Sequence, residues 1–242
     1  MSTTNKRATK PAATKLPTLA RWKKVAFESD DDERESSARY DLLEATNDSV
    51  DYEDLFGDVP EHVMVHEGSV SADGLVSLRG WDAREGSQQT LYVIEGDLTI
   101  NGTLVFAQSD ICTTLWVKGT LRAQRVALAS SAVLIVGALV VDDVLLTNLE
   151  DAGHLIVHGP CEARAWLDLW FRGSIELDEL PKGCYRSDAE REQRAADEGP
   201  FLRGAWAREP LTSALDPALL EDATPSYRKL VDALCTGTAV LR

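Results

Sequence analysis

One short pattern returns through residues 63–177 and leaves few folds open to the chain. It reads apolar, any, apolar, any, Gly, any, apolar, any, apolar or Ala. The clearest copies are Tyr92-Ile94-Gly96-Leu98-Ile100, Leu115-Val117-Gly119-Leu121-Ala123, Val133-Ile135-Gly137-Leu139-Val141 and Leu155-Val157-Gly159-Cys161-Ala163. A weaker copy precedes them at Met64-His66-Gly68-Val70-Ala72, and another follows at Leu169-Phe171-Gly173-Ile175-Leu177.

Alternation at period two places every second side chain on one face of an extended strand. The glycine stands in the inward frame of each copy, where a missing side chain permits a bend or a close backbone approach in mid-strand. Repeats of roughly twenty residues match one turn of a solenoid. Turns stacked ~4.8 Å apart bury a continuous apolar column, and one turn alone could not. Second apolar pairs (Leu104 and Phe106, Val126 and Leu128, Val144 and Leu146, Leu167 and Leu169) read as another wall of the same coil. The predicted fold is mainly β: a single-stranded parallel β-helix of about five to six turns with N-terminal and C-terminal helical caps. The competing architecture is a β-sandwich, for which Asn101-Gly102 is a suitable hairpin turn.

Four segments follow from composition. Residues 1–24 carry seven Lys or Arg and no acid, and are expected to be a disordered basic tail. Residues 25–61 carry fourteen acids against Arg34 and Arg39, and read as an acidic N-terminal cap or linker. Within it, Asp30-Asp31-Asp32-Glu33 suits a helix start, and Tyr52 and Phe56 are expected to pack on the first coil. Residues 62–180 are the β-helix. Residues 181–242 are expected to form a helical C-terminal cap packed on it.

The net charge of −15 argues against nucleic-acid binding by the folded domain and suits a basic partner. No apolar run is long enough to span a membrane, and no apolar segment backs the basic N-terminus as a secretory signal requires. Cysteines 112, 161, 184 and 235 form no Cys-x-x-Cys pair and read as reduced thiols. The expected location is cytoplasmic.

Catalytic signatures are sparse. His62 and His66, and likewise His154 and His158, are four apart in strand-like sequence, about 13 Å along an extended chain. No single ion reaches both members of a pair, so no metal and no cofactor are expected. There is no Gly-x-Ser-x-Gly, P-loop or dinucleotide fingerprint. Glycoside hydrolysis requires two carboxylates, and pairs such as Asp142-Asp143 could supply them. A carbohydrate-active β-helix enzyme is nevertheless the least favoured reading. Trp166, Asp168 and Trp170 share a face opposite Leu167, Leu169 and Phe171. Either the C-terminal tail covers that face or it is a binding centre of the Trp-and-carboxylate kind.

The run Glu95-Gly-Asp-Leu-Thr-Ile-Asn-Gly-Thr-Leu104, followed by Val117-Lys-Gly-Thr-Leu-Arg-Ala123, resembles bactofilin-like, polymer-forming parallel β-helix proteins of bacteria. The resemblance covers residues 63–177 and implies a scaffold that assembles end to end. The acidic charge and the lack of catalytic motifs point first to another role. The leading expectation is a non-catalytic protein-binding module, an immunity protein that neutralises a basic toxin such as a nuclease. Its expected partner contacts are Asp30, Asp31, Asp32, Glu33, Asp142, Asp143, Trp166, Asp168 and Trp170. A homo-oligomer is the other use of the surface. Three residues before the repeat glycines stand Val65, Val93, Trp116, Leu134, Ile156 and Trp170, an outward apolar stripe that needs a cover. Residues 200–235 are expected to run along it, and a dimer interface is the alternative.

Overall fold

The computed structural model describes residues 12–26, 62–78, 90–107, 113–129, 132–149, 153–171, 174–187 and 206–242. The first stretch holds β1 (Thr14–Lys15), a 3-10 turn (Leu16–Thr18) and β2 (Lys23–Ala26). Short and long strands then alternate: β3 (His62–His66) and β4 (Val70–Ser77), β5 (Thr90–Ile94) and β6 (Leu98–Ala107), β7 (Thr113–Val117) and β8 (Leu121–Ala129), β9 (Ala132–Ile135) and β10 (Leu139–Leu149), β11 (His154–Val157) and β12 (Cys161–Phe171). A reduced last turn supplies β13 (Ser174–Glu176) and β14 (Cys184–Arg186).

The long strands stack in the order β1-β4-β6-β8-β10-β12-β14 and the short ones as β13-β11-β9-β7-β5-β3-β2. Every pairing in these two sheets is parallel except β2 on β3. This is the expected parallel β-solenoid, with two walls per turn. The sandwich alternative fails because each strand pairs in parallel with the corresponding strand of the next turn, and Asn101-Gly102 sits inside β6 rather than at a hairpin.

The repeat glycines do not lie in mid-strand. Gly96, Gly119, Gly137 and Gly159 stand between a short strand and the following long one, at the corner of the coil. Their backbones form a ladder: Gly96 N–H donates to Gly68 O, Gly119 to Gly96 and Gly137 to Gly119, each at 3.1 Å, and Gly159 to Gly137 at 3.2 Å. Each copy of the pattern therefore spans two walls. Ile94 and Leu98, or Val117 and Leu121, point into one core from two sheets.

The inward frame changes along two of the long strands, β8 and β12. From the corner, β6 and β10 carry one residue more than β8 and β12, and the register shifts at Ile100/Thr103 and at Val141/Val144. β6 and β10 keep their inward frame through Leu104 and Leu145, whereas β8 and β12, one residue shorter here, pass from Ala123 to Val126 and from Ala163 to Trp166, so their later side chains change face. Leu104, Phe106, Val126 and Leu128 point inward as expected, but the inward residues of β10 and β12 include Leu145, Leu149 and Trp166. Val144, Leu146, Leu167 and Leu169 face outward instead.

That outward set meets the C-terminal segment. It comprises α1 (Leu211–Ala214), a 3-10 turn (Pro217–Leu219), a small hairpin of β15 (Leu220–Glu221) and β16 (Thr224–Pro225), and α2 (Tyr227–Thr236). Gly237, at φ 73°, closes α2, accepting the left-handed conformation that side chains resist. Leu211, Leu215, Leu230 and Leu234 bury against Val105, Ala127, Leu146 and Leu167. Thr103, itself buried, donates its hydroxyl to Leu234 O at 3.0 Å. The tail thus packs on the coil, but on the long-strand wall and not along the stripe. The stripe is the better-marked apolar column in sequence, because the frame slip hides the second column.

The N-terminal end is shut by residues 12–26. Leu16 is fully buried, and Leu19, Ala20 and Trp22 pack on the core. Trp22 meets Tyr92 edge-on, ring centroids 5.0 Å apart, and donates its indole N–H to Pro17 O at 3.0 Å. The expected disordered tail is therefore corrected for residues 12–24, whose few apolar side chains are spent on the coil end; residues 1–11 lie outside the described residues. So do residues 27–61, including the expected acidic cap and its helix.

Candidate functional site

The register stacks Phe106, Leu128, Thr147, Asp168 and Arg186 in one inward column. The column starts apolar and ends polar. Trp166 donates its indole N–H to Thr147 Oγ1 at 2.8 Å, and Thr147 donates its hydroxyl to Asp168 Oδ1 at 2.8 Å. Arg186 Nε stands 3.4 Å from Asp168 Oδ2, with both side chains almost fully buried. The Arg186 guanidinium lies 3.8 Å from the centre of the Trp206 ring, which in turn meets Trp166 at 5.2 Å. A buried ion pair repays its desolvation only where geometry is good and further hydrogen bonds satisfy its atoms; removing one partner leaves an uncompensated buried charge. Here the pair joins β10, β12, β14 and the start of the C-terminal segment.

Two expected partner contacts are corrected by this arrangement. Trp166 is 0% exposed and Asp168 1%, so neither reaches a partner. Sequence reasoning puts them on the outer face because both faces of β12 are apolar and pattern alone cannot choose between them. The side chain of Trp170 and the acids Asp30, Asp31, Asp32 and Glu33 lie outside the described residues.

Asp142 and Asp143 lie together at the register shift, on the surface, as carboxylates of ion pairs within the coil. Arg122 Nη1 meets Asp142 at 2.9 Å; Arg125 Nε meets Asp143 at 3.0 Å, and Arg164 Nη1 meets it at 3.4 Å. These arginines neutralise much of the charge a partner would meet there. More broadly, the described residues hold sixteen acids and fourteen bases. The chain's negative charge is concentrated elsewhere, above all in the fourteen acids of residues 27–61.

The outward stripe on the short-strand wall is buried: Val93 and Trp116 are each 2% exposed, Leu134 and Ile156 each 1%. His154 is also buried on that wall, whereas His158 stands at the next corner beside a groove. His66 Nδ1 lies 3.0 Å from Arg21 O at the closed N-terminal end. Among the described residues, no group of three or more His, Cys, Asp or Glu is placed to hold a metal.

The groove has a volume of about 780 Å³ and lies between the corner of the fifth turn and residues 178–182. Cys161, Glu162 and Arg164 form one bank, and Asp178, Glu179 and Lys182 the other. Burial pushes the Cys161 thiol up to about 12, with Glu162 adding to the shift. Burial does the same to Cys184, whose Sγ–H donates to Pro181 O at 2.7 Å. These thiols stay protonated and unreactive near neutrality.

Sequence reasoning misses Thr147, Arg186, Trp206 and the bank residues Asp178 and Glu179. For the first two the signal needs register: Thr147 and Arg186 each stand opposite Asp168 in the strands on either side of it. No family model matches the chain, and comparisons with curated proteins and with solved structures return no match.

Proposed function

We propose that this chain is a non-catalytic binding module that engages a basic protein partner, and that it serves as an immunity protein against a basic toxin such as a nuclease. The observation that carries this reading is the shut N-terminal end of the coil. A scaffold that polymerises end to end needs both terminal turns free to pair. Here Leu16 and Trp22 cover the core, β1 pairs with Val76 and Ser77 at the end of β4, β2 lies antiparallel on β3, and Lys15, Lys23 and Lys24 are exposed beside them. Edge lysines oppose strand pairing with another copy. A discrete, rigid platform beside a segment of fourteen acids favours steered association with a positively charged surface.

Affinity capture from the cells that encode the chain tests this. The expected partner is a basic protein whose enzymatic activity disappears at one equivalent of this chain. Its association rate should fall at least about tenfold between low and physiological salt. Replacing Asp30, Asp31, Asp32 and Glu33 by Asn and Gln should slow it further. A partner that is acidic, or a rate indifferent to salt, contradicts the proposal.

A further inference from the structure

In each of the first four turns, the N–H opening the long strand donates to the next turn. Val70 donates to Asp97 O at 2.8 Å, and Leu98, Leu121 and Leu139 to Thr120, Ala138 and Pro160 at 2.9 Å. Cys161 is the fifth member of this column, in register with Leu139. The reduced last turn offers it no counterpart. β14 pairs with Trp166, Leu167 and Asp168, and the first bond on that side runs from Trp166 N–H to Gly183 O. From Cys161 to Ala165, the C-terminal edge of β12 has no strand beside it among the described residues. In a parallel ladder, alternate residues turn their N–H and C=O to the same side. Cys161 and Ala163 therefore present both groups to the groove.

We propose that this edge is a peptide-docking site, where an extended segment of the partner carrying Lys or Arg adds as a strand beside β12. The mode of binding rests on the edge itself, and the partner's charge rests on the reading given above. Main-chain bonds to an unpaired edge supply affinity, and alternate side chains supply specificity. Five residues of open edge span roughly 16 Å, the length of an ordinary recognition strand.

Charge selects the occupant. In the groove, Arg164 is engaged by Asp143, and Asp142 by Arg122. Glu162, Asp178 and Glu179 remain to receive an incoming side chain, against Lys182. A segment alternating basic and small apolar residues meets both the acids and the Val140 and Leu180 side chains of the groove.

The test uses the full chain and two synthetic octapeptides, one alternating Lys and Val, the other Glu and Val. Amide exchange at Cys161 and Ala163, followed by NMR, should be unprotected in the free chain. It should slow at least about tenfold on adding the lysine peptide. Ala163→Pro removes an N–H that faces the groove, a substitution edge strands tolerate, and should abolish that protection at Cys161 with an unchanged melting profile. Glu162→Lys leaves the edge intact, and should weaken the lysine peptide and strengthen the glutamate one. Amides already protected in the free chain, or binding unaltered by Ala163→Pro, would overturn the site. Equal protection by both peptides would overturn the basic occupant and contradict the basic-partner reading, leaving the edge itself standing.

Discussion

Gly137 N–H donates to Gly119 O at 3.1 Å, and a Cβ at Gly137 would stand 2.5 Å from that same oxygen. The corner can be crossed by backbone alone. Gly159 stands in the same relation to Gly137. A methyl group at either place must push two turns apart, because the atom it meets is backbone and has no rotamer to change.

Gly137→Ala should therefore destabilise the fold by roughly 2–4 kcal/mol, within the range of strained overpacking. Gln124→Ala, an exposed substitution in the neighbouring long strand, should change it by less than about 0.5 kcal/mol. Urea titration of both variants decides; equal midpoints would refute the steric account of the repeat.

The Asp168–Arg186 pair gives a second prediction. Asp168→Ala leaves a buried guanidinium without its carboxylate and should cost about 3–5 kcal/mol. The double variant Asp168→Ala, Arg186→Met should cost clearly less than the two single changes added together. Additive losses in a double-mutant cycle would mean that the two groups are not coupled.

Thiol burial sets an alkaline limit. The Cys161 and Cys184 thiols move from 9.0 to about 12 on folding. Below pH 9 both states hold these protons and stability is unaffected. Between pH 9 and about 12 the unfolded chain releases them while the folded one does not, so stability falls as pH rises. Cys184→Ala and Cys161→Ala should each flatten that fall, measured by denaturant midpoints across the alkaline range. An unchanged slope in both variants would exclude the thiols as its source.

The tail is a structural wall. Leu230 is fully buried where α2 meets the long strands, and Leu230→Ala should cost about 2–5 kcal/mol. Removing residues 206–242 should uncover Val105, Leu146 and Leu167 and yield an aggregating chain. A soluble truncated monomer of unchanged stability would show that the tail does not cover that face.

Much of this architecture is legible in the sequence because two local signals agree. Alternating apolar residues set the strands, and glycines at nearly constant spacing set the turns. What pattern alone does not supply is the frame. Val144 and Leu145 are both buried, one outward under the tail and the other inward, so hydrophobicity does not distinguish them. The same ambiguity puts Trp166 and Asp168 on the wrong face. Arg186 escapes notice because its partner lies eighteen residues earlier and one turn below, a relationship only the register reveals. Residues 12–24 are misread because Leu16, Leu19, Ala20 and Trp22, spread among lysines, threonines and Pro17, look like a solvated tail until a coil end is present to receive them.

Sedimentation velocity over a wide range of protein concentration tests whether the coil is a discrete module or a unit of a filament. One species of 26.5 kDa is predicted throughout. Species that lengthen as concentration rises would contradict the discrete module, and with it the role assigned to the shut N-terminal end.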